Sequence, residues 1–364
     1  MPAMSVERFT RARDLLLAAD RSDAGFDVIA AEIVRAFHLI TTFSWCAVLT
    51  TDPDTFLPSG GVIEGFPPEA CTPFWDNELL DPDFNKFNVL ARSTDPVATL
   101  ADAVDGALER SPRFRDVYAP LGAADELRVV FGSERSCVAI GAFVRAERDG
   151  TFTRAELDDV RRLVPIVTAV LRRAVGRFHA RASEMAPVVV MLDVDGEVAH
   201  MSVGARQVLA ELAQEVEPSE VPTSVRAAAT RARWARTPTN LVTRVRGRSG
   251  EWMRLHVTPM EGDANLVAVT IEPAHPADLV PILLESYALT QRETEIVLAL
   301  ARGLSTKEIG AELCISAHTV RDHLKAIYEK ADVSSRGELI ASLYSNHIME
   351  RFHAAVSVYS PGSE

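Results

Sequence analysis

Apolar positions change their period several times along the chain. Between residues 5 and 40 they recur at helical spacing. Phe9, Ala12, Leu15 and Leu16 form one stripe, and Phe26, Ile29, Ala30, Ile33, Val34 and Phe37 form another. Two helices are predicted. A strand is expected over Ser44–Leu49, a turn at Asp52-Pro53-Asp54, and a second strand within residues 57–66, broken by Gly60-Gly61. Residues 95–124 read as helical, punctuated by Pro96, Pro112 and Pro120. Leu127–Phe131 and Cys137–Arg145 are rich in β-branched and aromatic residues and flank a polar turn, which predicts a hairpin. Thr153 with Glu156 has capping-box spacing and opens a long helix. In that helix Leu157, Val160, Val164, Val167, Leu171, Ala174 and Phe178 alternate at intervals of three and four, a coiled-coil-like seam. Its first half is expected to pack on its own domain and its second half to pair with a second copy. Pro165 removes one backbone hydrogen bond and predicts a kink.

A second alternation of period two follows. Val188–Leu192 and Glu197–Met201 flank the turn Asp193-Val194-Asp195-Gly196, and Ala205–Leu212 reads as a short helix. After a polar, proline-containing stretch come three β-runs: Leu241–Val245, Trp252–Pro259 and Leu266–Ile271. Pro273, Pro276 and Pro281 mark a junction to the last segment.

That last segment, Leu289–Arg336, carries three helix starts. Thr290 with Glu293 and Ser305 with Glu308 are capping boxes, and Ser316 can cap a third helix. Leu313-Cys314-Ile315 alone separates the second and third helices, a helix-turn-helix spacing that lets the second of the pair enter a major groove. On the third helix Val320, Leu324, Ile327 and Ala331 make the apolar stripe. His318, Arg321, Asp322, Lys325 and Glu329 fall opposite. Arg321 and Lys325 stand one turn apart. Such cations read guanine O6/N7 or hold phosphates, and Asp322 can accept from cytosine N4.

The segment resembles the LuxR-type DNA-binding domain. The resemblance rests on Leu289-Thr290, Arg292-Glu293, Gly303-Leu304-Ser305, Lys307-Glu308-Ile309, Leu313, Ile315-Ser316, Thr319-Val320, His323-Leu324, Ile327, Lys330, Val333 and Arg336. It implies a four-helix domain whose last helix runs from about Ser335 to Tyr344. It also implies DNA contacts at Thr319, Arg321, Asp322 and Lys325, with backbone contacts near Lys307 and Ser316. Three positions depart from the family pattern: Gly310 for alanine, Ala331 for leucine and Asp332 for glycine. Upstream, the element order of residues 5–178 is similar to a GAF-type sensory domain, and that of residues 184–273 to a PAS domain. Both likenesses rest on element order and not on a motif.

Composition narrows the function. A hydrophobic fraction of 47% and a charged fraction of 24% suit folded domains, and 364 residues allow two or three of them. Net charge is −13, so any DNA contact must be local and adsorption to an anionic membrane is not expected. Three of the four lysines (Lys307, Lys325, Lys330, against Lys86 elsewhere) lie in the last segment. Even so, Leu289–Ile348 holds seven Lys/Arg against eight Asp/Glu. Weak binding by a monomer and recovery by a dimer on two half-sites are therefore expected.

The four cysteines have no metal-ligand spacing, and no phosphate loop, zinc helix or nucleophile elbow is present, so neither a metal site nor an enzyme is predicted. A lone His200 is too little to predict haem, and no cofactor is expected. Asp52-Pro53-Asp54 lacks the surroundings of a receiver-domain phosphoacceptor, which argues against a phosphorylation-controlled response regulator.

The aromatics Trp45, Phe74, Trp75, Phe84 and Phe87 suggest the wall of a ligand pocket, or a loop pinned to the core. The arginines at 226, 231, 233, 236, 244, 246, 248 and 254 suggest either DNA-phosphate contact or a face turned to solvent or to the N-terminal domain.

The predicted architecture is α+β and multidomain. It comprises a GAF-like unit (1–178), a PAS-like unit (179–276), a helix-turn-helix domain (285–350) and a tail (351–364). The predicted function is a cytoplasmic one-component transcription regulator. Its partners would be duplex DNA, a second copy, a small-molecule effector and RNA polymerase, with no membrane; control by a protein partner alone is the alternative. Richness in Ala, Val, Arg and Asp hints at a GC-rich, actinobacterial genome.

Overall fold

The computed structural model describes residues 2–21, 26–133, 136–176, 185–213, 219–235, 240–262 and 265–343. Two compact units divide the chain. One comprises 1–174 and 185–274, and the other takes in 175–176 and 275–343. The tail at 351–364, together with Arg177, Phe178 and Arg236, lies outside the described residues.

The first unit begins with α1 (Pro2–Arg21) and α2 (Phe26–Ile40). The strands β1 (Trp45–Thr51) and β2 (Pro58–Glu64) follow, then α3 (Cys71–Leu79), α4 (Phe87–Leu90), β3 (Val97–Thr99) and α5 (Leu100–Ala103). The hairpin β4 (Ala123–Ser133) and β5 (Ser136–Ala146) leads into α6 (Arg154–Gly176). The sheet is antiparallel, in the order β2-β1-β5-β4-β3. Strand alternation divides its residues between two faces. Phe131 and Phe143 pack on Phe37 of α2, the Phe37 and Phe143 rings stacked 4.3 Å apart. On the other face the register aligns Ala47 with Ala142, and Ala142 with Arg128.

The capping box of α6 forms: Thr153 N–H donates to Glu156 at 2.8 Å, and Glu156 N–H donates back to the Thr153 hydroxyl. The helix continues through Pro165. Its seam has a different partner from the one expected. Leu157, Val160, Val164, Val167, Leu171 and Ala174 are all buried within the chain, so the second half offers no open apolar stripe to a second copy. Arg162 covers the Phe9 ring and Arg173 pairs with Asp20, which locks α6 onto α1.

Residues 95–124 differ from the helical expectation. They hold the short β3, one four-residue helix and single turns. Pro96, Pro112 and Pro120 with Gly106 and Gly122 interrupt every longer helical run.

The second half of this unit contains β6 (Val188–Leu192), β7 (Val198–Met201), α7 (Ala205–Glu211), α8 (Thr223–Arg233), β8 (Leu241–Arg246), β9 (Trp252–Pro259) and β10 (Val267–Pro273). Its sheet, β7-β6-β10-β9-β8, repeats the strand order of the first. The two lobes share one hydrophobic core, which runs from Leu49, Ile63 and Trp75 to Val225, Ala228 and Val257. Helix α8 joins them, since it packs on α3 and β2 of the first lobe and on β8, β9 and β10 of the second. Polar contacts tie the same boundary. Asp52, fully buried, accepts from Arg244 N–H and pairs with its guanidinium at 3.1 Å; Thr55 meets Thr243 at 3.0 Å, and Arg226 donates to Thr72 at 2.7 Å. Arg226 and Arg244 are therefore turned to the first lobe and not to DNA. Burial pushes the Asp52 carboxyl above the usual range, and Arg244 partly offsets that. An aspartate buried this way is closed to a phosphodonor.

The second unit contains α9 (Pro276–Ser286), α10 (Gln291–Ala301), α11 (Thr306–Glu312), α12 (Ala317–Ala331) and a further helix, α13, over residues 336–343. The proline-rich junction is thus a helix. Pro276 stands at its first position, where the missing N–H costs nothing, and Leu279, Ile282, Leu283 and Leu284 are buried. Among the described residues, no helix is long and apolar enough to cross a membrane, and no cluster of side chains could hold a metal ion.

Candidate nucleic-acid interface and candidate ligand cavity

Local chemistry builds the helix-turn-helix. Thr290 and Glu293 cap each other's backbone at the start of α10, as do Ser305 and Glu308 at α11. The Ser316 hydroxyl accepts from Thr319 N–H at 3.0 Å and starts α12. Removing such a cap costs about 1 kcal/mol. Cys314 takes a left-handed φ of 55° in the turn, and Ile315 N–H returns to the Gly310 carbonyl at 2.9 Å. This return explains Gly310. A Cβ there would stand 2.8 Å from the Ile315 carbonyl oxygen, so the turn closes tightest with glycine.

Val320, Leu324 and Ile327 bury one side of α12 against the domain core. Lys330 extends to the buried carboxylate of Glu293 at 2.6 Å, so this lysine ties α12 to α10 and is not available to DNA. Burial alone would raise the Glu293 carboxyl; Lys330 and the Thr290 backbone outweigh burial and lower it. The opposite side of α12 is open. Arg321, Asp322 and Lys325 are exposed, and no hydrogen bond or ion pair among the described residues engages Arg321 or Lys325. His318 Nδ1 meets Asp322 at 2.8 Å across one turn, both side chains mostly exposed. Thr319, half-buried, touches the Ser316 hydroxyl at 2.9 Å, and Lys307 is exposed on α11. The expected DNA residues on α12 thus share one accessible face with two uncommitted cations. Such a face suits contact with base edges and phosphates.

Asp332 closes α12 in the left-handed conformation with φ 51°, which explains why glycine serves there as well. Asp332→Gly is expected to stabilise this unit by no more than about 1 kcal/mol, since relief of the left-handed strain exceeds the added freedom of the unfolded chain. A rise in the unfolding midpoint of this unit with unchanged DNA affinity is the outcome that checks it.

The first lobe contains a cavity on the face carrying Ala47 and Ala142. It has a free volume of about 40 Å³. The floor is Ala47, Leu49, Ile63 and Ala142; the cover includes Phe66, Phe74, Trp75 and Val117. The space exists because two facing strand positions carry only methyl groups beneath large aromatics. Of the five aromatics predicted to line a pocket, the structure brings Phe74 and Trp75 to this cavity. Trp45 lines a separate open groove of about 710 Å³ with His38 and Phe43. Phe84 and Phe87 stand outside both, with Arg110 over the Phe84 ring and Arg128 over the Phe87 ring.

A buried ionic cluster fastens the cover to the sheet. Arg113 Nε donates to Glu126 at 3.0 Å and its Nη2 to the Phe84 carbonyl at 3.1 Å. Arg128 donates to Glu126 at 2.9 Å and to Glu78 of α3 at 2.6 Å, between the rings of Phe74 and Phe87. Tyr118 donates to Glu126 at 2.6 Å. Burial opposes the charge on Glu126, but Arg113 and Arg128 outweigh it and hold the carboxyl below its ordinary value. The sequence signal was weak: Glu126 and Arg128 alternate on an otherwise apolar strand, which reads as a solvated edge until the cover is placed.

One segment of the chain matches a family model. Residues 287–343 fit the family model of bacterial regulatory proteins, luxR family. The transcriptional regulatory protein LiaR of Bacillus subtilis is 42% identical over 62 residues, 17% of this chain and 29% of LiaR. The transcriptional activator protein ExaE of Pseudomonas putida is 50% identical over 52 residues, 14% of this chain and 24% of ExaE. The chain therefore spans under a third of the length of these relatives. Among solved structures, SdiA in complex with octanoyl-rac-glycerol aligns over 93% of this chain and 96% of its own, at 13% identity. Its TM-score of 0.34 is too low to assign a shared fold. The agreement of family match, caps and open helix face makes residues 287–343 a helix-turn-helix domain of the LuxR family of bacterial regulatory proteins.

Proposed function

We propose that the protein is a one-component transcription regulator. It binds duplex DNA as a homodimer, with α12 of each copy in the major groove and the two helices about 34 Å apart, one DNA turn. The observation that carries this reading is the open face of α12, where Arg321 and Lys325 have no partner among the described residues and stand beside Asp322. His318, Thr319 and Ser316 border it, and these residues together with exposed Lys307 on α11 are proposed as further DNA contacts. The domain's near-balanced charge favours dimer-dependent binding. The shared strand order of the two sheets supports reading them as GAF-like and PAS-like sensor units, which here act as one body. The cavity beneath Phe74 and Trp75 is the site proposed for a small-molecule effector. RNA polymerase is the proposed downstream partner and the cytoplasm the proposed location.

The test is a binding titration of the purified full chain against a duplex it has selected from a random library, with mass measured on and off DNA. A complex containing two chains per selected duplex is the expected result. Selection that yields no enriched duplex would sink the proposal. Native mass spectrometry of the purified protein separates small-molecule control, seen as an added small mass, from control by a protein partner alone.

A further inference from the structure

The cavity beneath Phe74 and Trp75 is apolar on every side. Its floor of Ala47, Leu49, Ile63 and Ala142 offers only side-chain carbon, and its cover offers aromatic rings. Thr223 and Cys71 also reach it, but both are buried and their polar atoms are engaged, with each other at 3.8 Å and with further groups. Among the described residues, none turns a free donor or acceptor into the space. A water there would lack the polar partners that hold a buried water, so such a cavity stays dry. Helix α3 covers the space from one side and grips the second lobe from another. Cys71, Phe74 and Trp75 line the cavity. Thr72 and Asp76, one turn apart, meet α8 instead: the Thr72 hydroxyl accepts from Arg226 at 2.7 Å, and Thr230 donates to Asp76 at 3.3 Å.

Resting on the reading of this cavity as the effector site, we infer that its ligand is a small molecule with no polar group, a hydrocarbon, and that occupancy holds α3 in the position from which it grips α8. Size follows from the volume. About 40 Å³ of free space holds on the order of three waters, or a hydrocarbon of roughly five or six carbons. Class follows from the wall. A hydroxyl, ether or carbonyl would leave water for a site that offers it no partner, and an ion would be opposed far more strongly. A hydrocarbon gives up nothing polar on entry. It also supplies the dispersion contacts that the void denies to Ala47, Ala142 and the rings above them. Coupling follows from α3. A ligand that fills the space favours the arrangement in which Phe74 and Trp75 stand over it, and in that arrangement Thr72 and Asp76 meet α8.

The experiment is a ligand-observed NMR titration of the full chain with cyclopentane and with tetrahydrofuran. These rings are equal in size and differ in one ether oxygen. Cyclopentane is expected to bind at least about tenfold more tightly. Its protons should show NOEs to the Phe74 and Trp75 rings and shift upfield, a readout that needs no variant. Ala142→Leu, which fills the floor, is expected to abolish binding. Trp234→Ala, which removes an exposed apolar side chain elsewhere, is expected to leave it unchanged and so separates the cavity from surface adsorption. Saturating cyclopentane is expected to slow amide hydrogen exchange in α3 and α8 together. Tetrahydrofuran binding as tightly as cyclopentane, with the same ring NOEs, would overturn the apolar class while leaving the cavity as a ligand site. Slowed exchange in α3 with α8 unchanged would overturn the coupling. Binding of neither probe to the unmodified chain would overturn the inference and the effector reading together.

Discussion

Replacement of Arg321 or Lys325 with alanine is expected to weaken specific DNA binding by about 1–3 kcal/mol each where the side chain reads a base bidentately. Both groups are exposed and uncommitted, so their loss leaves the domain core intact and unfolding midpoints should not move. The salt dependence separates their roles. A variant that has lost a phosphate contact loses affinity on all sequences and shows a shallower salt slope, whereas one that has lost a base contact relaxes preference at one position. Lys330→Ala provides the contrast. Its ammonium is held by buried Glu293, so it should lower stability of the helix-turn-helix unit and alter DNA binding only as the fold weakens. Anisotropy titrations of the three variants on a selected duplex and on a scrambled one, at two salt concentrations, check this. Unchanged affinity of both Arg321→Ala and Lys325→Ala would remove α12 from the groove.

Glu126→Gln is expected to cost about 3–5 kcal/mol of stability in the first unit at neutral pH, the usual price of breaking a buried ion cluster from one side. Arg113 and Arg128, both fully buried, would then lack their shared carboxylate. The cover over the cavity would loosen with it, because Glu126 receives bonds from Arg113, Tyr118 and Arg128. The pH dependence has a definite sign. The Glu126 carboxyl is lowered in the fold, so its contribution is complete above the ordinary glutamate value and is lost as pH falls through the folded value. Asp125 acts in the opposite sense. Burial pushes it up to about 6, so its contribution is complete below the ordinary aspartate value and is lost as pH rises through about 6. Urea midpoints of the parent and Glu126→Gln should therefore differ most near neutrality and converge in acid. A difference that does not shrink at all as pH falls below the ordinary glutamate value would show that the cost is steric and not ionic.

The helix-turn-helix was legible almost residue by residue, because its signals are local. Each cap joins residues three apart, and the stripe of Val320, Leu324 and Ile327 needs only a 3.6-residue period to be seen. The strands β1, β4, β5, β6, β9 and β10 were legible within a few residues for the same reason. Helix α8 was not. It has no side-chain cap, and its buried residues are four alanines, one valine and four of Thr, Ser and Arg, so no row of large apolar side chains marks it. Pro276 and Pro281 disguised α9 as a linker. The seam of α6 was visible, but a period of three and four does not say whether the facing surface is a copy or the chain's own α1.

The sequence by itself thus determined the helix-turn-helix module, the side of α12 that faces out and the presence of two β-rich units before it. Those follow from interactions within a few residues. Tertiary structure alone decided that the two sheets share one core, that Arg113, Arg128, Arg226 and Arg244 are interior ties, and that Ala47 and Ala142 leave a cavity beneath Phe74 and Trp75. A buried arginine and a solvated one have the same local sequence. What separates them is a carboxylate or carbonyl brought in from far along the chain, as when Asp52 meets Arg244 across the two lobes.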